Sequence, residues 1–182
     1  MRIAVLTALA SVSLVACGQN AAPTNNSIAD NATNSTEATE NAVIPAAAPA
    51  TKEEALKIMH ERHEGMEQIG KSTKAIKRAL ESSSPDVAAI QKAAATISEL
   101  AAKSPTWFPE GTGPDVGKTG AKPEIWQNYP DFIAKDRDFA KAAQAFNATA
   151  AGGNLDAIKS GFADLGKSCK ACHDKYRSEE KH

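Results

Sequence analysis

Cysteine is scarce in this sequence, and its scarcity excludes several kinds of site. The chain has three cysteines in 182 residues, and two of them, Cys169 and Cys172, stand three positions apart near the C-terminal end. Because there is no second pair, the chain cannot form a zinc site of the four-cysteine type. Because no βαβ pattern accompanies the pair, a thioredoxin-like fold is not favoured.

An excess of one charge, a long hydrophobic run and a strand pattern are also missing. Lysine and arginine number 21 against 22 aspartates and glutamates, and this balance predicts no nucleic-acid partner. The apolar run over residues 3–14 is too short to cross a bilayer. No segment alternates with a period of two, so we expect no β-sheet. No acid–base pair or nucleophile constellation is visible, so we do not expect an enzyme.

The N-terminal end predicts an exported lipoprotein. Met1 and Arg2 precede the short apolar run, and residues 14–17 are Leu-Val-Ala-Cys, which resembles a bacterial lipobox. We therefore predict a signal peptide over residues 1–16, cleavage before Cys17, and a membrane anchor through acylated Cys17. Gly18 resembles the sorting pattern for the outer membrane and favours it over the inner one. An ordinary signal peptide with an incidental cysteine is the alternative.

Residues 17–50 predict a flexible tether between this anchor and a folded domain. The segment is rich in Ala, Asn, Thr, Ser and Pro, and its only charges are Asp30, Glu37 and Glu40. Such a composition cannot bury enough apolar surface to order itself. We therefore place the folded domain at residues 51–182.

Two helices are predicted in the first half of this domain, because apolar residues recur there at spacings of three and four. The first begins at Thr51, with Glu54 placed to complete its cap. The second has Ser84 as its N-cap and Pro85 as its first residue, and it ends before Pro105. The predicted inner face of the first helix consists of Leu56, Met59, His63, Met66, Ile69, Thr73, Ile76 and Leu80. That of the second consists of Val87, Ile90, Ala94, Ile97 and Ala101.

Two more helices are predicted after a long connection over residues 104–128, which holds four prolines and four glycines. The third helix begins near Tyr129 and ends at Gly152 and Gly153, and Asn154 caps the fourth. Their predicted inner faces are Phe132, Phe139, Ala143, Phe146 and Ala150, and then Leu155, Ile158, Phe162, Leu165, Cys169, Cys172 and Tyr176. Two short connections and one long one, between helices 2 and 3, predict an all-α, antiparallel up-down-up-down four-helix bundle.

Residues 169–173 are Cys-Lys-Ala-Cys-His, the signal for covalent attachment of c-type haem. Two thiols at this spacing reach the two vinyl groups of one porphyrin, and the imidazole that follows turns onto the iron. The motif therefore predicts one haem c per chain, held by Cys169 and Cys172, with His173 as the iron ligand. A dithiol redox protein that uses the Cys pair without haem is the alternative.

Several motifs together resemble one family of haem proteins. They are Arg62-x-x-x-Met66 on the first helix, Trp-Phe-Pro-Glu-Gly-Thr-Gly at 107–113, Thr-Gly-Ala-Lys-Pro-Glu-Ile-Trp at 119–126, and the C-terminal Cys-x-x-Cys-His up to Arg177. This combination resembles the cytochrome c′ and cytochrome c556 family, and the resemblance extends over the whole predicted bundle. It implies thioether bonds at Cys169 and Cys172 and proximal coordination by His173.

The resemblance also implies roles for residues outside the motif. Arg177 lies one turn after the proximal histidine, where the family places a basic residue beside the haem. Arg62 matches the arginine that approaches a haem propionate, whereas a solvated charge is its ordinary alternative. The next family position is usually Gln but is His63 here, which makes that polar contact titratable. Met66 occupies the distal position, and we favour five-coordinate iron with Met66 as a packing residue over six-coordinate iron with Met66 as ligand.

The function implied is that of a periplasm-facing cytochrome. Such a protein carries electrons to or from a redox partner protein, or binds a small diatomic gas such as NO at the iron. Cytochromes of this type often form homodimers through their first two helices.

Overall fold

The computed structural model describes residues 46–179, and this part of the chain is almost entirely helical. Its elements are α1 (Lys52–Glu81), α2 (Val87–Lys103), a 3-10 turn (Ser104–Trp107), the short α3 (Glu124–Gln127), α4 (Tyr129–Ala151) and α5 (Leu155–Tyr176). No helix within residues 46–179 is both long enough and apolar enough to cross a membrane. The predicted signal peptide, Cys17 and most of the predicted tether lie outside the described residues.

The first helix begins as predicted, whereas the predicted start of the second is wrong. The Thr51 hydroxyl accepts the Glu54 N–H at 3.2 Å, and the Glu54 carboxylate accepts the Thr51 N–H at 3.2 Å, which completes a capping box. The cap of α2 is Asp86 rather than Ser84, because the Asp86 carboxylate accepts the Ala89 N–H at 3.0 Å. Ser84 instead donates its N–H to the Ser82 hydroxyl in the preceding turn.

The predicted ends of the last two long helices are confirmed. Pro130 stands in the first turn of α4, where its missing N–H costs nothing. Gly153 has φ +70°, a left-handed conformation that ends the helix and that side chains rarely adopt. Asn154 then accepts the N–H groups of Asp156 and Ala157 and begins α5.

The four long helices pack in chain order, α1 on α2, α2 on α4, and α4 on α5. Within the described residues, α1 and α5 are not among the pairs in extensive contact. The predicted all-α four-helix fold with one long connection is therefore confirmed. The side chains of its core that are most fully enclosed are Ile76, Ile90, Ile97, Phe132, Phe146, Ile158 and Leu165.

The inner face predicted for the first helix is partly wrong. Leu56 is 43% exposed and His63 is also exposed. The buried residues of α1 are Ala55, Met59, Arg62, Gly65, Ile69, Ser72 and Ile76. The prediction followed the spacing of apolar side chains. The buried face instead includes small residues, which allow neighbouring side chains to pack closely, and an arginine whose N–H groups are hydrogen-bonded. The buried stripe is therefore rotated around the helix relative to the predicted one.

Gly65 shows why this face needs small residues. The indole of Trp107, from the 3-10 turn, is buried directly against it. A methyl group on Gly65 would lie 2.3 Å from Cη2 and 2.6 Å from Cζ2 of Trp107, far inside van der Waals contact. Gly65 thus sets how closely the start of the long connection lies against α1.

We expect Gly65→Ala to destabilise the protein by about 1–3 kcal/mol, because the added methyl must displace a buried indole. Gly70→Ala is the matched control on the same helix, since a methyl there would meet no atom within 4 Å. The control should stabilise by up to about 1 kcal/mol through helix propensity. Denaturant unfolding of the two variants measures the difference, and equal effects would contradict the assignment of Gly65 to this contact.

Candidate haem site

The paired cysteines lie on the inner side of α5, as the periodicity predicted. Cys169 and Cys172 are both partly buried, and both pack against the hydrophobic core of the bundle. Burial raises the pKa of the Cys169 thiol, and it raises that of Cys172 to about 11 with a further contribution from the charge of Asp136. Both groups are therefore neutral thiols near pH 7. A dithiol oxidoreductase needs a thiolate stabilised by its surroundings, and these surroundings do the opposite.

His173 follows on the exposed side of the same turn. Neighbouring protein atoms lower the pKa of its imidazole, and the positive charge of Arg177 lowers it further. The neutral imidazole is the form that binds a metal ion. Arg177 ends the helix, with its N–H donated to the His173 carbonyl at 3.1 Å.

The chain beyond the motif is held in place from two sides. Tyr176 is 2% exposed, and its hydroxyl donates to Asp131 of α4 at 2.5 Å. The Lys175 ammonium binds the same carboxylate at 2.9 Å. On the other side, the Tyr176 carbonyl accepts the Lys122 N–H at 3.0 Å, and Ala121 forms an isolated antiparallel bridge with Arg177. The end of α5 is therefore anchored both to α4 and to the long connection.

Arg62 lies against the long connection and is buried, with 4% of its surface exposed. Its guanidinium donates to the Trp107 carbonyl at 3.1 Å, to both oxygens of Thr112 at 3.2 and 3.0 Å, and to the Thr119 hydroxyl at 3.1 Å. It also stacks over the Phe108 ring, 4.9 Å from the centroid. The alternative that Arg62 is a solvated charge is therefore wrong.

The buried guanidinium keeps its charge without a carboxylate partner. Burial lowers the pKa of Arg62 to about 10, so the group stays protonated near neutral pH. Within residues 46–179 its hydrogen bonds go only to neutral oxygens. A buried cation of this kind is stabilised when an anion comes near it.

The two remaining candidates on α1 point in different directions. Met66 is partly buried and packs against the same core as Cys169 and Cys172. His63 is exposed, and its charge acts on the neighbouring carboxylate of Glu67, whose pKa is lowered mainly by Lys71. The structure therefore brings Met66, but not His63, to the core that the motif lines.

Comparison with known proteins agrees with this arrangement. The family model described as cytochrome c′ matches residues 57–177. The chain belongs to the cytochrome c′ family. It is 36% identical to cytochrome c′ of Allochromatium vinosum over 121 residues, which cover 65% of this chain and 78% of that protein.

Solved structures give the same result. The crystal structure of cytochrome c′ from Thermochromatium tepidum superimposes with a TM-score of 0.64 at 35% identity, covering 72% of this chain and all of that one. A nitric oxide complex of a mutant cytochrome c prime from Alcaligenes xylosoxidans superimposes with a TM-score of 0.62 at 29% identity, covering 73% of this chain and all of that one. Membership of the cytochrome c′ family means one covalently attached haem c per chain.

The residues present fit such a group. The two thiols lie on the inner side of α5 with an imidazole beside them. The faces of α1 and α5 are not packed closely on each other in the described residues. The buried charge of Arg62 lacks a carboxylate, and a haem propionate is an anion that suits a guanidinium. The described residues therefore include two thiols, an imidazole and a buried cation whose chemistry suits a covalently attached haem.

Asp136 is the residue of this region that the sequence analysis missed. It is 4% exposed on the inner face of α4, and the Ser104 hydroxyl donates to its Oδ1 at 2.6 Å. Burial raises its pKa from 3.8 to about 6, against the smaller opposing effect of Ser104. The periodicity could have found it, because position 136 comes four residues after Phe132 and three before Phe139, both of which were assigned to the inner face.

The raised pKa predicts that Asp136 lowers stability above about pH 6. Between pH 4 and pH 6 the unfolded chain ionises at this position while the folded chain keeps the proton, so stability falls as the pH rises through this range. We expect Asp136→Asn to remove that loss and to be more stable than the wild type at pH 7.5 by at most about 3 kcal/mol.

At about pH 3 this gain should be nearly absent, because the acid is then largely protonated in both states. Denaturant unfolding at the two pH values measures it. Asp138→Asn removes the same charge from the exposed side of α4 and should show no such gain. A loss of stability in Asp136→Asn that is equal at both pH values would contradict the prediction.

Proposed function

We propose that this chain is a periplasm-facing monohaem cytochrome in which Cys169 and Cys172 form the thioether bonds and His173 is the proximal iron ligand. The observation that carries the proposal is the position of the Cys-x-x-Cys-His motif, with both thiols packed on the core and unsuited to thiolate chemistry. Arg62 would stabilise a propionate, and Arg177 would lie on the proximal side. The protein serves as an electron carrier or gas-binding protein rather than as an enzyme.

Of these two activities, we propose gas binding at five-coordinate iron. Met66 packs against the hydrophobic core, which is an ordinary role for a flexible thioether on a helix. His63 is exposed and is not assigned as a ligand. An apolar distal side excludes water and anions but admits NO. The related cytochrome c prime from Alcaligenes xylosoxidans has been solved as a nitric oxide complex, which supports the same ligand here.

The optical spectrum with Met66→Leu tests this proposal. We expect high-spin spectra in both oxidation states that change little in Met66→Leu, and formation of an NO adduct by the reduced protein. Met59→Leu, the same substitution at another buried position of α1, is the control. A narrow low-spin α-band in the reduced wild type that is lost only in Met66→Leu would instead identify a thioether ligand and an electron carrier.

Haem staining after denaturing electrophoresis accompanies these spectra, since thioether-linked haem survives denaturation. Unstained protein with alkylatable thiols would instead support the dithiol alternative.

We further propose that the mature protein begins at acylated Cys17 and is anchored to the outer membrane with the bundle in the periplasm. The lipobox-like residues 14–17 and the polar segment after them support this location. Acyl chains contribute about 0.8 kcal/mol per buried CH₂, so multiple acylation would hold the domain firmly.

We expect Cys17→Ser to release the cytochrome from salt-washed membranes into the soluble fraction. Fractionation followed by haem staining measures this. A Cys17→Ser protein that still sediments with membranes would show that the anchor lies elsewhere.

A further inference from the structure

Asp136 lies at the junction of three elements around the motif. Ser104 donates to it from the 3-10 turn after α2. Its own helix packs on α5, where the charge of Asp136 acts on the Cys172 thiol and raises its pKa. Tyr129 lies two turns earlier on the same helix, and burial together with the charge of Asp136 raises its pKa. The carboxyl is thus buried, and its charge acts on one of the two cysteines of the motif.

Both hydrogen bonds of the Ser104 hydroxyl can form together only when the carboxyl is protonated. The Ser104 hydroxyl lies 2.6 Å from Asp136 Oδ1 and 2.9 Å from the Ala101 carbonyl, and both sites are buried. A hydroxyl has one hydrogen, so it cannot donate to two acceptors. In a regular helix the N–H of residue 105 would donate to the Ala101 carbonyl, but Pro105 has no N–H. When Asp136 is protonated, its carboxyl donates to the Ser104 hydroxyl, and that hydroxyl donates to the Ala101 carbonyl. Each of the two acceptors then has a hydrogen bond.

Ionisation of Asp136 breaks this chain of donors. Ser104 must then donate to the carboxylate, and the Ala101 carbonyl loses its hydrogen. Asp136 Oδ2 and the Tyr129 hydroxyl have no hydrogen-bond partner among the described residues. An unpartnered oxygen is more costly in a buried carboxylate than in a neutral acid.

Within residues 46–179, no cation is among the groups that shift the pKa of this carboxyl. Lys135, beside it on α4, pairs with Asp131 at 3.8 Å. The acidic and basic groups at the end of α2, Glu99 and Lys103, are exposed. On α5, the charge of Asp136 acts on the neutral Cys172 thiol. An ionised Asp136 is therefore a buried negative charge whose field reaches the point of haem attachment.

We propose that Asp136 is a redox-linked proton site, whose carboxyl takes up a proton when the iron is reduced and releases it when the iron is oxidised. The inference rests on the proposed attachment of haem at Cys172. The electron comes from a one-electron donor, the redox partner, and the proton comes from solvent water. The electron added to the haem on reduction repels the carboxylate and therefore raises its affinity for a proton. By reciprocity, the ionised carboxyl makes reduction of the iron less favourable.

The test is a potentiometric titration of the holoprotein from pH 5 to pH 8. For charges separated by on the order of 10 Å in a protein interior, we expect the proton affinity of Asp136 to differ about tenfold between the two oxidation states. The reduction potential of the wild type should therefore fall by about 59 mV across the range. Asp136→Asn should lose this component, and the exposed Asp138→Asn should retain it.

The other ionisable groups, including the haem propionates, are present in both proteins, so the difference between the curves belongs to Asp136. A potential that follows the wild-type curve in Asp136→Asn would overturn the proposal. If Asp136→Asn does not accumulate with haem, the infrared difference spectrum of the wild type, reduced minus oxidised, decides instead. A protonated-carboxyl band that appears on reduction supports the proposal, and its absence refutes it.

These outcomes are separate from failure of the proposed function. Protein that stains for haem but has a pH-independent potential refutes only the role of Asp136. Protein without covalent haem refutes the proposed function itself.

Discussion

The site depends on one buried guanidinium. Arg62 joins the middle of α1 to three separate points of the long connection, at Trp107, Thr112 and Thr119. A segment with so many prolines and glycines has little regular structure of its own, so its shape comes from such contacts. The same connection holds the end of α5 at Ala121 and Lys122. Arg62 therefore positions the motif indirectly, because it holds the long connection and the long connection holds the end of α5. It does so although α1 and α5 are not packed closely on each other.

Two buried charges of opposite sign make the region around the motif electrically asymmetric. Arg62 is a cation without a carboxylate, and Asp136 is an acid without a cation. Within the described residues no ion pair joins the two, and each is hydrogen-bonded to neutral partners. The first favours an anionic substituent of the haem, and the second opposes extra negative charge near Cys172. A buried charge without an oppositely charged partner destabilises the folded protein. Such charges are more often found at functional sites than elsewhere in a protein core.

The sequence predicted well where a single physical signal decided the outcome. Both ends of α4 and the start of α5 followed from proline, glycine and asparagine, and the stripe of α5 placed Cys169 and Cys172 correctly. The face of α1 was mispredicted because hydrophobicity was the only criterion, whereas Arg62 and Gly65 are buried through hydrogen bonds and through lack of volume. Asp136 was missed for the same reason, since a lone carboxyl at a core position becomes acceptable only when a donor such as Ser104 is known.

The coordination of the iron is a property of this packing rather than of Met66 alone. Gly65 and Arg62 fix the position of α1 against the long connection through Trp107, and Met66 follows directly on the same turn. The distance from its sulfur to a group held on α5 then depends on α2 and α4, through which α1 and α5 are linked by successive helix contacts. The buried face of α2 combines Ile90 and Ile97 with three small residues, Ala93, Ala94 and Ala101, which permit close approach. A larger residue at one of these alanines would therefore change access to the iron without touching any haem ligand.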